Sequence, residues 1–404
     1  MSNSLVTCSI IAKESLAILE NQLAFARRVN RDFEAEFTGN MSRGYAPGQT
    51  INVKLPPRFT YRAGRVASPQ GMGEGTVPIT LSQGGTDLNV TSLERTLSIK
   101  QWEQKLQAAM ATVANEIDRQ GLQLARFATP NVIGTPGTLP NSQSTALAAF
   151  TGVNQRLDEM AAPRKDRGRT MIFNPAMNAA AVQGLAGLFN AQSVLDKQYR
   201  DGVMVDSLGL AYDMDQNVDV HTNGTANVTT NTVNGAGQTG GAITVAALNG
   251  TVTRGSKVSF AGVFAVNPQS RVSTGTLAQF TVTADAANGA TSLSISPAIV
   301  ATGAYQNVTA SPANGAAITI FGTANGSYNA NVAFHRDAFT LAMVPMWAPP
   351  GGKGVIDVAQ ETWNGLTMKV TEFYDGINDN SIIRFDVLFG YAAPYPQLAC
   401  LYAS

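Results

Sequence analysis

Residues 222–330 constrain the fold more than any motif in the chain. This stretch carries only four charged side chains, Arg254, Lys257, Arg271 and Asp285, and has no Trp, Met, Cys or His. It is built from Gly, Thr, Asn, Ser and Ala, whereas the flanks are rich in helix formers and hold 52 of the 56 charged residues. A β-module therefore interrupts a mixed α/β sequence. The surrounding core must be completed by chain from both sides of it.

A chain of 404 residues exceeds the usual size of one core, so two or more domains are expected. Its 28 basic and 28 acidic residues balance. That argues against wrapping nucleic acid by phosphate neutralisation, though not against a shell that encloses it. Cys8 and Cys400 form no disulfide framework and read as free thiols. Met1–Leu19 lacks the pattern of a signal peptide, and no apolar run is long enough for a membrane span.

Residues 10–37 read as an amphipathic helix, with Ile11, Leu16, Leu19, Leu23, Phe25 and Val29 near helical spacing. So charged a terminal helix is expected to be a solvated lid or an arm gripping a neighbour. Residues 46–92 alternate polar and apolar at Gln49–Leu55 and again at Val77, Ile79 and Leu81, around a Pro- and Gly-rich tip. A hairpin this long is marginal alone and is expected to lie on something else, such as an adjacent copy of the chain. Residues 86–99 predict strand. Trp102, Leu106, Met110, Val113, Ile117, Leu124 and Phe127 then form one apolar stripe over a helix of about 39 Å, stopped at Thr129-Pro130. Further helices are expected at 145–161 and 176–190, a buried strand at Thr170–Phe173, and irregular chain over Asp206–Val220. The insert predicts strands at Ala242–Ala247, Lys257–Phe260, Leu277–Thr283, Thr291–Ile295 and Ala317–Phe321. Leu366–Phe373 and Ser381–Gly390 predict a closing hairpin.

Little here suggests catalysis. His221 and His335 have no second His at ligand spacing and read as packed structural residues. Gly71-Met-Gly-Glu-Gly75 lacks the Lys-Ser/Thr and following helix of a phosphate loop. Asp213, Asp215, Asn217 and Asp219 copy the first spacing of a calcium loop, but Val218 and Gly224 stand where Gly and Glu are required. The basic run 164–169 has no interleaved aromatic residue and reads as a solvated loop, or one between subunits, rather than a nucleic-acid contact.

In this order the elements resemble the HK97-fold major capsid proteins of tailed phages, in the branch of P22-type coat proteins. The segments that carry the resemblance are Arg254-Gly-Ser-Lys-Val-Ser-Phe-Ala-Gly-Val263, Phe173-Asn174-Pro175 before an Ala-rich helix, Tyr199-Arg-Asp-Gly202, and Phe334-His-Arg-Asp-Ala-Phe-Thr-Leu-Ala342. The resemblance implies an α+β HK97-like capsid fold with an N-terminal arm (1–45), an E-loop (46–92) and a P-domain with a long spine helix (93–140). An A-domain (141–221), an inserted antiparallel β-barrel I-domain (222–330) and return strands (331–404) complete it. It implies a non-enzymatic shell protein of a virion, assembled in the bacterial cytoplasm into pentamers and hexamers. Its implied partners are further copies of itself, a scaffolding protein, a portal protein and enclosed double-stranded DNA, with noncovalent expansion and no cofactor, metal or membrane. Glu14 and Glu20 are the implied contacts for a basic scaffold helix-turn-helix. Lys54, Arg58, Arg62, Arg65 and Glu74 are the implied E-loop residues that meet a neighbouring copy, with no crosslink through Lys54. Residues 223–241 depart from the branch: they are short, uncharged and rich in Asn, Thr and Gly, so no inter-capsomer salt bridge is expected there. The alternative reading is another virion component, such as a tail or fibre adhesin binding glycan through its β-module.

Overall fold

A computed structural model describes residues 8–31, 50–62, 64–67, 69–71, 75–91, 102–185, 206–226, 230–348 and 355–404. They form two compact units. The first takes Met1–Val53, Thr76–Gly121 and Thr340–Ala392, and the second Lys54–Gly75, Leu122–Phe339 and Ala393–Ser404. Each unit joins chain from before and after the insert.

The first unit is an antiparallel sheet in the order Thr340–Met343 (β14), Asn380–Ala392 (β17), Leu366–Asp375 (β16) and Val355–Trp363 (β15), with Ser82–Thr91 (β3) also paired to β17. Asn364-Gly365 joins β15 to β16 with φ of 48° and 76°, the positive pair that a two-residue hairpin turn requires. Helix α1 (Cys8–Gln22) lays Cys8, Ile11, Ala12, Leu16 and Leu19 inward. Its polar side holds the same sheet: Ser9 Oγ donates to Glu361 at 2.6 Å and Glu20 accepts from Trp363 Nε1 at 2.8 Å. The expected solvated lid is therefore corrected: the apolar stripe is buried on the chain's own sheet. The helix also stops at Gln22, and residues 32–49 lie outside the described residues.

The hairpin needs a similar correction. Thr50–Leu55 (β1) pairs with Gly75–Thr80 (β2), and their alternating Ile51, Val53 and Ile79, with Leu81, are buried against Ala342, Val344 and Ala392 of the same chain. The base of the hairpin thus finds its apolar partner at home, while its other side and the tip are exposed. Of the strand expected over 86–99, residues 82–91 are strand and 92–100 lie outside the described residues.

The spine helix, α2 (Trp102–Ala128), receives the segment that follows α1. Asp118, fully buried, accepts from the amides of Ala24 at 2.6 Å and Ala26 at 2.9 Å, which clamps that turn to the helix. Gly121 makes the fit possible: a Cβ there would stand 2.5 Å from the Phe25 ring and 2.9 Å from Tyr391. Gly121→Ala is expected to cost about 2 kcal/mol by overpacking. Limited proteolysis should then show cleavage within residues 8–31 that the wild type resists.

The second unit is a six-stranded sheet ordered Asn131–Gly134 (β4), Ala399–Ala403 (β18), Ser327–His335 (β13), Arg169–Phe173 (β5) and Ala211–Met214 (β6), with Val220–Thr222 (β7) paired to β13. Residues 206–220, expected to be irregular, thus include β6, parallel to β5. Helix α3 (Gln143–Glu159) starts in a capping box between Ser142 and Thr145. Helix α4 (Pro175–Leu185) is capped by Asn174 Oδ1, which accepts from Met177 N at 2.9 Å, with Pro175 at its first position. Its expected continuation to 190, like Tyr199–Gly202, falls outside the described residues.

The insert forms a five-stranded antiparallel sheet. Its order is Ile318–Ile320 (β12), Lys257–Val266 (β9), Ser273–Val282 (β10), Ser292–Ile299 (β11) and Gly240–Thr244 (β8). All five expected strands are present; β9 and β10 are longer than their alternation suggested. Residues 232 and 233 bridge to Ala317 beside one edge strand and Val245 beside the other, so both edges are occupied. Val258, Phe260, Phe280, Val282, Ile243, Leu293 and Ile318 fill the interior.

Candidate functional site

The insert enters and leaves on neighbouring strands. β7 pairs antiparallel with the first residues of β13, Thr222 opposite Ser327 and His221 opposite Tyr328. The two ends of the module thus meet side by side in one sheet. Above this stem, polar side chains of the insert bind the backbone that connects α2 to β4. Lys257, 1% exposed, donates from Nζ to Arg126 O at 2.7 Å, Thr129 O at 2.6 Å and Thr281 Oγ1 at 2.8 Å. Two of these acceptors are carbonyls at the C-terminal end of the spine helix, where the helix itself offers no donor. Burial, and then the neighbouring Arg126 charge, push the Lys257 ammonium well below its ordinary value. The ammonium, with three N–H donors, can satisfy all three oxygen acceptors at once.

Gln279 closes the next gap. Its amide accepts from Val132 N at 2.8 Å and donates to Val132 O at 2.9 Å, filling one rung of edge strand β4 as a partner strand would. Arg156 on α3 donates to Leu277 O and Gln279 Oε1, each at 3.1 Å, and to Thr276 Oγ1 and Glu159. Asn267 Nδ2 donates to Glu159 O at 2.9 Å. Sequence reasoning missed this whole set. The available signal was Lys257 itself, one of four charges in a β-module that otherwise avoids them.

His221 sits at the stem. Arg126 Nη1 lies 2.9 Å from its Nδ1, which must therefore accept, leaving Nε2–H to face Ser256 Oγ at 3.2 Å. Arg126 also pairs with Asp219 at 2.6 Å. Burial, with the Arg126 and Lys257 charges, lowers His221 to about 4. The unfolded chain takes up this proton near pH 6.5 and the folded chain does not, so stability falls as pH drops from about 6.5 to the folded value. Urea unfolding at pH 7 and pH 4.5 should show a loss that is roughly 2 kcal/mol smaller in His221→Gln. Equal losses would contradict this assignment.

The basic run is not solvated throughout. Arg169 is fully buried and donates to Pro163 O, Asn154 Oδ1, Asp158 Oδ1 and Ala162 O, the last two at 2.6 Å. Arg164 pairs with the same Asp158 at 2.9 Å, and Asp166 meets buried His335 at 2.7 Å. That corrects the solvated-loop expectation for its last member: Arg169 is drawn in by four acceptors on 154–163. Both histidines are packed and paired, as expected. In the calcium-like spacing, Asp215 Oδ1 accepts from Asn217 N and Nδ2 while Asp219 turns to Arg126. No metal-ligating cluster occurs among the described residues. Both cysteines are buried thiols outside any disulfide among the described residues; burial pushes Cys400 up to about 12.

The sequence-derived contact residues differ in their surroundings. Glu14 is exposed, while Glu20 is engaged by Trp363 and Asn364. Lys54 is exposed on β1, and Arg65 is exposed at the hairpin tip. Arg62 donates to Gly64 O and Val66 O within the tip. Arg58 lies over the Tyr305 ring, and Glu74 falls outside the described residues.

The sequence of this chain is matched by the model of a family of viral coat proteins. The family model described as P22 coat protein, gene protein 5, matches residues 67–401, and the chain belongs to that family. It is a major capsid protein, a building block of the phage shell. Among solved structures, it is similar to a chain of Mycobacterium phage Che8 at 12% identity, covering 94% of this chain and 90% of that one with a TM-score of 0.47. It is also similar to the capsid of Ralstonia phage GP4, at 7% identity, 88% and 83% coverage and a TM-score of 0.44. The capsid of Cyanophage P-SCSP1u is similar at 11% identity, with 88% and 83% coverage and a TM-score of 0.42. No curated protein matches the chain.

Proposed function

We propose that this coat protein builds its shell from HK97-like protomers, each carrying an I-domain barrel. The β1–β2 hairpin is the E-loop, α2 the spine of the P-domain, the six-stranded sheet the A-domain, and the sheet β8–β12, with 231–234 across its edges, the I-domain. The observation that supports this reading best is the stem, where β7 and β13 bring the insert's ends together inside one sheet. Protomers associate as pentamers and hexamers around a portal, on a scaffolding protein, and enclose double-stranded DNA without reading its sequence. Such a shell needs no strong single bond, because large repeated interfaces act by mass action. Expansion is noncovalent and uses packed interfaces with two stable arrangements. Glu14, exposed on α1, is the better scaffold contact; Glu20 already serves the chain's own β15–β16 turn. No enzymatic activity is assigned to the chain.

Electron microscopy of the expressed chain with and without its scaffold tests this reading. Closed shells that depend on scaffold are expected. Monodisperse trimers would favour a fibre protein instead.

A further inference from the structure

The hairpin tip and the insert together make one surface of unusual composition. Residues 56–71 hold three arginines and no acid, with Glu74 just beyond. Tyr61 and Val66 are 93% and 84% exposed, and Phe59 is half-exposed. The tip is joined to the insert by Arg271, whose Nη2 donates to Phe59 O at 2.8 Å, and by Arg58, 5.8 Å from the Tyr305 ring centroid. Val272 and Tyr305 continue the exposed apolar face. Arginine beside exposed aromatic rings is the composition of interface hot spots.

Elsewhere the chain carries its complement. The β16–β17 turn, Tyr374-Asp-Gly-Ile-Asn-Asp379, holds two carboxylates and no base. Asp375 accepts from Ile377 N at 3.0 Å and Asn378 Nδ2 at 2.7 Å, and those bonds hold its carboxyl below the usual range. Asp379 accepts from Tyr374 OH at 2.9 Å. The turn is thereby fixed with Ile377 held outward, 94% exposed. An apolar side chain set between two charges is costly to leave in water on a shell protein, and it matches a surface of exposed rings between arginines.

We propose that the arginine–aromatic face formed by the hairpin tip and the insert of one copy receives the acidic Tyr374–Asp379 turn of a second copy. This rests on the reading of the tip as an element that meets a neighbouring copy, and it adds the docking partner. Ile377 enters between Tyr61, Phe59 and Tyr305, while Asp375 and Asp379 face Arg65 and Arg58. The contact is charge-steered, so its formation slows with added salt.

Scaffold-assisted assembly followed by light scattering and sedimentation tests it. Arg65→Glu and Asp379→Lys are each expected to slow assembly about tenfold, and the two together in one chain to restore it to within about twofold. Asp379 has φ of 53°, so Lys adds backbone strain there. Ile377→Ser is the independent probe, because its exposed side chain supports no fold contact. It should slow assembly about fivefold with unchanged melting. Wild-type rates in both Arg65→Glu and Ile377→Ser, or a double variant no faster than the slower single one, would overturn the pairing. Reduced DNA retention by Arg65→Glu at wild-type assembly rate would also overturn it, in favour of nucleic acid. Failure of the wild-type chain itself to form shells would strike the shell reading instead.

Discussion

Lys257→Ala is expected to destabilise the second unit by about 4 kcal/mol. Two effects add. The carbonyls of Arg126 and Thr129 lose a buried donor, and Thr129 is fully shielded from water. The Arg126 carbonyl loses its side-chain donor, at a cost of about 1–3 kcal/mol, while Thr129 O falls back on Thr281 Oγ1 at 3.0 Å. The missing side chain also leaves a cavity beside Thr281. Relief from burying an ammonium offsets part of the loss. Lys257→Met separates the two contributions: it refills the space, restores no hydrogen bond, and should recover about half of the stability. Urea unfolding of the assembly-competent monomer measures both. Recovery to wild type in the Met variant would show that the lysine fills space and caps nothing.

Arg169→Ala is expected to have a similar effect, a loss of about 4 kcal/mol. Its guanidinium satisfies four acceptors on the segment 154–163, two of them carbonyls in the turn after α3. Arg169→Lys keeps the charge, yet one ammonium cannot span that planar fan, so about half the loss should remain. Arg164→Ala, which removes the exposed partner of the same Asp158, should change stability by less than about 0.5 kcal/mol. The contrast between two arginines five residues apart is the sharpest check on which members of the run are structural. A shell or a soluble monomer at wild-type yield from Arg169→Ala would contradict this role.

What the sequence revealed and what it concealed divide along physical lines. The insert strands were readable because alternation and Gly or Asn turns are local signals. The spine helix was readable because one apolar stripe runs the length of Trp102–Ala128. The stem and β6 were not, because β6 and β7 are four and three residues long, too short to show a period. The hairpin's seat on its own chain was not legible either, because its apolar partners, Ala342, Val344 and Ala392, lie some 250 residues or more further along. Arg169 and Lys257 were hidden for a related reason. A charge in sequence looks solvated until folding brings backbone carbonyls around it.

The central claim is that a five-stranded β-module, fixed by Lys257 to the end of the spine helix and by Gln279 to β4, is an integral part of a shell-forming protein. A cryo-electron microscopy map of particles assembled from this chain tests it most directly. The account predicts closed shells in which every copy keeps the β7–β13 stem and the insert's contacts with residues 126–132. A map in which the insert swings free of that segment, or preparations that yield no closed shell with scaffold present, would contradict it.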